Sequence, residues 1–471
     1  MAEEEEEAPT TSLKILMFPW LAFGHIFPFL QLAKKLSDRG FYIYMCSTPI
    51  NLDSIKNKIP QNYSSSIQLI DLHLPHSPQL PPPLHTTNAL PPHLMTTLKI
   101  ALFEARPELC EIIGSIKPDL IIYDAHQPWT ATVAKKHNIP AVSFSIMNAV
   151  SFAYVMHTLM QPRSEFPFKA IHLSDFEKSR LWEKLQSQKT EDSSAKENDP
   201  EIEKLQRSKG SNFNNTFIIR SSTELEGKYF DYISEFTKRK IMPICPVISQ
   251  DNNHQEQGDE GGDELIQWLG TKSDRSSVFV SFGSEYFLNT QEIEEIAIGL
   301  ELSNVNFIWV LRFPKEEDKK IEQVLPEGYL ERVKDRGRIV QKWAPQAKIL
   351  GHPSIGGFVS HCGWNSVMES IEIGVPIIAI PMIIDQQPLN ARLAVEIGVG
   401  IEVARDKNGK LKREVIAEVI KEVVMGKTGV NLRKTSNDFS QKLKDREEED
   451  LDELVGMLKV KQLRNCPSSI K

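Results

Sequence analysis

Apolar residues in the first half of the chain gather in short runs rich in β-branched and aromatic types, and between those runs they recur at helical spacing. Lys14-Ile15-Leu16-Met17-Phe18 predicts a strand, with a helix following near residues 26–39. Residues 41–46, 67–72, 120–123 and 141–144 predict further strands, most of them followed by helix candidates. A βα rhythm of this kind predicts a mostly parallel, doubly wound sheet covered on both faces.

The pattern then changes. Residues 164–200 are polar and charged and predict helices with a mobile loop near 186–200, and residues 249–263 carry no large apolar side chain and predict a linker. A second βα rhythm opens at Ser277-Val278-Phe279-Val280-Ser281-Phe282, and Asn289 with Glu292 has the spacing of a capping box at a helix start. Strand candidates follow at 307–311, 339–340, 357–360 and 377–380. Two wound sheets of similar design imply two facing domains, with ligands bound in the cleft outside the carboxyl ends of their strands. The expected division is 1–248, the linker 249–263, 264–446, and a tail of 447–471 whose Leu451, Leu454, Met457 and Leu458 have helical spacing.

Length supports two domains, since 471 residues exceed one ordinary core. A formal net charge of −8 argues against a nucleic-acid partner. The five cysteines are widely spaced without a Cys-x-x-Cys pair, so neither a disulfide framework nor a zinc site is expected and a reducing, cytosolic compartment fits. The acidic run Glu3 to Glu7 stands where a secretory signal would be basic, and no segment approaches the roughly 20 apolar residues of a membrane span, so no integral membrane association is expected.

The candidate chemistry concentrates between Trp343 and Gln386. Trp-Ala-Pro-Gln opens the segment, His361-Cys362-Gly363-Trp364-Asn365-Ser366 lies in its middle, and Glu369, Gly374-Val375-Pro376 and Asp385-Gln386 complete it. A helix predicted from Trp364 to Ile373 would present its unpaired amides and positive dipole end just after His361-Cys362-Gly363, where a diphosphate is naturally held. The set of residue types and spacings resembles the nucleotide-sugar box of plant family 1 UDP-glycosyltransferases. That resemblance implies a GT-B fold, an inverting sugar transfer with UDP-glucose as co-substrate, and no cofactor or required metal.

By that resemblance Trp343 stacks on the uracil, Ala344 and Gln346 bond the base edge or ribose, and Glu369 accepts from the ribose hydroxyls. His361, Gly363, Trp364, Asn365 and Ser366 serve the diphosphate, joined by Ser284 from the first loop of the second domain, while Asp385 and Gln386 read the sugar. Two departures stand out. Ile380 occupies the place of a tryptophan common in relatives, and Asp385-Gln386-Gln387-Pro388-Leu389-Asn390-Ala391 carries one residue more than usual, so Gln387 competes with Gln386 for the sugar.

In the first domain, Pro19-Trp20-Leu21-Ala22-Phe23-Gly24-His25-Ile26-Phe27-Pro28 resembles the acceptor-side loop of the family, with His25 in the place of its general base. Imidazole suits that task because it titrates near operating pH. Asp124, at the end of Pro118-Asp119-Leu120-Ile121-Ile122-Tyr123-Asp124, is the implied partner; a strand-end aspartate capping a helix is the competing reading, and His126 is a rival base. Asp450-Leu451-Asp452 has metal-like spacing but reads as a solvated face of the tail helix.

Leu84-His85-Thr86-Thr87-Asn88-Ala89-Leu90-Pro91-Pro92 and Phe279-Val280-Ser281-Phe282-Gly283-Ser284-Glu285 are similar to the branch that extends the sugar of small-molecule glycosides. The resemblance thus implies a glycoside acceptor of flavonoid, terpenoid, lignan or apocarotenoid type and a tail packing back onto the first domain; the oligomeric state is left open by the sequence, with a monomer expected. A free aglycone acceptor, another UDP-sugar, and a non-catalytic UDP-sugar-binding protein are the alternatives. A dinucleotide dehydrogenase is disfavoured because no Gly-x-Gly-x-x-Gly follows the first strand.

Overall fold

The computed structural model describes residues 12–88, 90–183, 216–244, 260–283, 286–313, 320–341, 344–382 and 386–463. The first sheet holds β1 (Lys14–Phe18), β2 (Tyr42–Ser47), β3 (Ile67–Asp71), β4 (Leu120–Asp124), β5 (Ala141–Ser145), β6 (Thr216–Arg220) and β7 (Lys240–Ile244). Its strands run in the order β3-β2-β1-β4-β5-β6-β7, all parallel. Because both faces are covered, β4 and β5 are buried at every position, which is why they read as unbroken apolar runs rather than alternating ones. Helices α1 (Phe23–Asp38), α2 (Ala149–Met160) and α3 (Thr223–Thr237) belong to this half.

The second sheet repeats the design. After α4 (Glu260–Gly270) come β8 (Ser277–Ser281), α5 (Thr290–Ser303), β9 (Asn306–Val310), β10 (Gly337–Val340), β11 (Ile355–Ser360), α6 (Trp364–Ile373), β12 (Ile377–Ala379), α7 (Gln387–Glu396) and β13 (Gly400–Glu402), with strand order β10-β9-β8-β11-β12-β13. The predicted capping box forms: Glu292 N–H donates to Asn289 Oδ1 at 3.0 Å, and Asn289 N–H donates to Glu292 Oε2 at 3.0 Å. Each sheet reverses its winding beside its first strand, at β1/β4 and at β8/β11, and a crevice opens at the carboxyl ends there. Two such sheets make the GT-B architecture.

The linker expected at 249–263 lies mainly outside the described residues, but its last four positions already belong to α4. The loop expected near 186–200 also lies outside them. The boundary drawn at 446/447 falls inside one continuous helix, α8 (Lys427–Leu463). This helix packs on α6 in the second domain and then reaches the first, where Leu451, Leu454, Val455 and Leu458 join the apolar cluster of Ile15, Met17, Leu32 and Leu36. Arg39 pairs with Glu448 and Asp452, Lys35 with Glu447, and Lys240 with Glu453 at 3.0 Å, along the rim of that contact.

Asp450 corrects the solvated-face reading of the tail. It is 2% exposed and bonds Arg446 at 2.9 Å; burial pushes its carboxyl up, against the pull of that guanidinium. Leu454 is fully enclosed, so Leu454→Ala is expected to remove about 2–5 kcal/mol of stability. A lower urea midpoint with an unchanged slope would report this, and no shift would show that the helix is not part of the first core.

Cys46, Cys110 and Cys362 are free thiols. Among the described residues, no helix is long and apolar enough to cross a membrane.

Candidate active site

β1 delivers the chain into Pro19-Trp20-Leu21-Ala22, and α1 begins at once, placing His25 in its first turn with its N–H on the Ala22 carbonyl at 2.9 Å. β4 lies beside β1 in parallel register, Phe18 opposite Tyr123, so the next residue on β4, Asp124, ends beneath that loop. His25 Nδ1 lies 2.7 Å from Asp124 Oδ2, which also accepts the Trp20 N–H at 3.3 Å. The residues are 99 positions apart in sequence, and the topology brings them together.

The other carboxylate oxygen is occupied as well. Asp124 Oδ1 accepts from the His126 backbone N–H at 2.9 Å and from His126 Nδ1 at 3.1 Å. Burial alone would push the Asp124 carboxyl up; the two imidazoles and their hydrogen bonds outweigh it and hold the group well below the usual carboxylate range. A carboxylate only accepts, so both rings carry their proton on Nδ1 and present the Nε2 lone pair on the side away from Asp124. His25, Asp124 and His126 also have the closeness of a metal site, with ligand atoms within 4.8 Å of one another. Their hydrogen bonds, however, are those of two N–H donors sharing a carboxylate rather than lone pairs converging on a cation.

On the facing domain, β11 ends at Ser360 and the chain turns through His361, Cys362 and Gly363 into α6. Cys362 takes a positive φ of 64°, and the N-cap Gly363 has no side chain to cap the helix, so the first-turn amides stay open toward the cleft. The His361 ring is wedged between two glycines: a Cβ on Gly283 or on Gly363 would lie 2.7 Å from its Nε2. Burial pushes this imidazole down to about 4, so it is neutral at physiological pH. Asn390 Nδ2 donates to the Cys362 carbonyl at 2.9 Å and steadies the turn.

One turn into α6, the Glu369 carboxylate accepts from Gln346 Nε2; burial raises its carboxyl, and the Gln346 bond and the Arg220 charge pull the other way. Ala344 is buried, and Ser366 is half-buried in the first turn of α6. Ser284, Trp343 and Asp385 lie outside the described residues. Gln386 stands at the N-cap of α7 with no side-chain cap bond, whereas Gln387 Oε1 accepts the Met382 N–H at 2.9 Å and ties the two ends of the 383–386 segment. Ile380 is fully buried in the second-domain core, where an apolar side chain is suited.

Trp364 stands at the domain junction. Its side chain is 6% exposed, packs between the domains, and donates its indole N–H to the Arg220 carbonyl at 2.7 Å.

Asn365 links the two halves of the site. Its Nδ2 donates to the Gly24 carbonyl at 3.2 Å, and its Oδ1 accepts from Arg220 Nη1 at 2.6 Å. Pro28 explains the first bond: it has no N–H for the carbonyl four residues back, which is Gly24, and the freed oxygen is taken by the other domain. Arg220 was not legible as a site residue. It ends β6, a strand missed in the sequence, and the only signal was a charged residue closing the apolar run Thr216-Phe217-Ile218-Ile219.

Residues 105–456 match the family described as "UDP-glucoronosyl and UDP-glucosyl transferase". The chain is 54% identical over 442 residues to beta-D-glucosyl crocetin beta-1,6-glucosyltransferase of Gardenia jasminoides, covering 94% of this chain and 97% of that one. It is 47% identical over 458 residues to a mogroside IIIx synthase of Siraitia grosvenorii, covering 96% and 93%. The crystal structure of Glycyrrhiza uralensis UGT73P12, complexed with glycyrrhetinic acid 3-O-monoglucuronide, superposes with a TM-score of 0.78 over 96% of this chain and 97% of that one; at 24% identity it speaks for the fold. With the dyad of one sheet facing the open helix of the other, and with matches of this extent, the chain belongs to the UDP-glucoronosyl and UDP-glucosyl transferase family and is a UDP-glycosyltransferase.

Proposed function

We propose that the protein is an inverting glucosyltransferase that moves glucose from UDP-glucose to a sugar hydroxyl of a small-molecule glycoside, forming a diglycoside. The observation that carries the reading is the His25–Asp124 pair at 2.7 Å, facing the uncapped start of α6 and joined to it through Asn365. The names of the Gardenia and Siraitia relatives, a glucosyltransferase of glucosyl crocetin and a mogroside synthase, support a glycoside acceptor.

In this reading, His25 Nε2 takes the proton of the acceptor hydroxyl as its oxygen attacks the anomeric carbon from the face opposite UDP. The bond to the diphosphate breaks and the configuration inverts. Asp124 holds the ring in the required tautomer and stabilises the imidazolium that forms. The amides at the start of α6, from the N-cap Gly363 to Ser366, hold the leaving diphosphate with the His361 ring and the Ser284 hydroxyl. Trp343 and Ala344 take the uracil, and Glu369, held by Gln346, takes the ribose. These groups supply the charge stabilisation without a metal. One chain carries both halves of the site, which suits a monomer, and the free thiols suit a reducing cytosol.

The tie between Gln387 and Met382 favours Gln386, with Asp385, as the reader of the sugar. Gln386→Ala is expected to lower kcat/KM for UDP-glucose by about three- to tenfold, the worth of one hydrogen bond, and to leave UDP affinity unchanged. The same pattern from Gln387→Ala instead would transfer the role to that residue.

Mass spectrometry after incubation with UDP-glucose and matched acceptors, each aglycone beside its monoglucoside, tests the proposal. Hexose added to the monoglucosides supports it. Hexose added only to aglycones replaces it with a first-glucosylation enzyme, and nucleotide binding without any product points to a binding protein.

A further inference from the structure

The site holds a second imidazole that the single-base mechanism does not use. His126 is bound to Asp124 twice, through its backbone N–H and its Nδ1, and its ring stacks on Trp20 with 6.3 Å between centroids and 23° between planes. These contacts fix the ring in orientation and tautomer. It stands edge-on to His25, with ring centroids 4.9 Å apart and planes at 85°. The side chains become more accessible away from the carboxylate, from 0% for Asp124 to 13% for His25 and 42% for His126, so the His126 ring is the most open of the three to solvent.

A lone pair held rigidly in that position is a hydrogen-bond acceptor. A protein whose only requirement was to anchor Asp124 could use any donor there; a ring with its second nitrogen left open offers something more. Two imidazoles with ring centroids 4.9 Å apart can serve two neighbouring hydroxyls, which a pyranose has and an isolated phenol lacks.

Resting on the proposed sugar-extending reaction, we infer that His126 Nε2 binds a second hydroxyl of the acceptor sugar, a neighbour of the one that His25 deprotonates. His126 is then an acceptor-binding residue that selects a polyol ring and helps choose which hydroxyl reacts. It takes no proton in the reaction: the hydroxyl it binds keeps its hydrogen and donates it to the lone pair.

The experiment uses the full-length enzyme, UDP-glucose, a monoglucoside acceptor and its monodeoxy analogues, with His126→Asn and His126→Gln. An asparagine amide nitrogen overlies the position of Nδ1 and keeps the donation to Asp124 but removes Nε2; a glutamine restores a polar atom near Nε2. His126→Asn is expected to raise KM for the monoglucoside about tenfold, with a smaller change in kcat and none in KM for UDP-glucose. His126→Gln should recover part of that loss. One monodeoxy acceptor should lose about tenfold with the unsubstituted enzyme and nothing further with His126→Asn.

Equal losses for every deoxy acceptor in both enzymes would overturn the inference, as would a fall in kcat at unchanged acceptor KM, which would mark His126 as a support for Asp124 alone. If the unsubstituted enzyme glucosylates only aglycones, the sugar-extending reading has failed before any substitution is made, and this inference falls with it.

Discussion

His25→Ala lowers turnover with the natural donor by about 10²–10⁴-fold, the range a positioned general base contributes, while UDP binds as before. The two effects separate because the imidazole lies on the first domain at the start of α1, whereas the amides that would hold UDP lie at the start of α6. Single-turnover product formation measures the first effect and calorimetric titration with UDP the second. Turnover within about tenfold of the unsubstituted enzyme would remove His25 from the role and promote His126, the other imidazole on Asp124. A matched loss of UDP affinity would mean instead that the His25 loop is needed to hold α6 in place through the Gly24–Asn365 bond.

The second large effect is expected from Asp124→Asn, a change of one atom. The carboxylate accepts from four donors: His25 Nδ1, the Trp20 N–H, the His126 N–H and His126 Nδ1. An amide offers one oxygen. If its nitrogen faces His25, the imidazole must shift its proton to Nε2 and has no lone pair left to receive the acceptor's proton; if it faces His126, it meets a backbone N–H that cannot move its hydrogen. Turnover should fall by roughly 10³–10⁴-fold, as expected when a base is held in the wrong tautomer.

The pH behaviour follows with its sign. Asp124 is held below its ordinary range, so its contribution to stability is complete above the unfolded-state value near 4 and is lost as pH falls through the lower folded value. The acid limb of the rate profile above about pH 4 therefore belongs to another group than Asp124. Acid unfolding of Asp124→Asn should lack this component, and an unchanged acid transition would show that the pairing contributes nothing to folding.

The large features of this molecule were legible because they rest on local rules. Buried parallel strands are apolar at nearly every position, so β1, β4, β8 and β11 declared themselves as runs, and the predicted span of α6 agrees with the observed one. β6, β7 and β13 were missed. Thr216–Arg220 ends in a charge, Lys240–Ile244 contains Pro243, and Gly400–Glu402 is three residues long, so none has the length or purity of a run.

The side chains brought together at the cleft were legible one by one, through their motifs. Their connections were not, since Arg220–Asn365, Asn365–Gly24 and Gln387–Met382 depend on how two domains meet or how a loop closes. Trp364 shows the limit of reading a motif: its place in the box says nothing of the interdomain packing in which its side chain takes part. Asp450 shows the same for charge, where an acid on an acid-rich helix turned out to lie beneath it.

The long helix α8 also sets an order of events during synthesis. The ribosome makes β1 to β7 well before Leu451, Leu454, Val455 and Leu458, which complete one face of that sheet. The first domain must wait with an apolar strip uncovered while some two hundred further residues are added, and it closes only when α8 returns to it. A nascent chain stalled or truncated within the second domain would thus carry an exposed strip suited to chaperone binding, and the arrival of α8 doubles as a check that both halves are present.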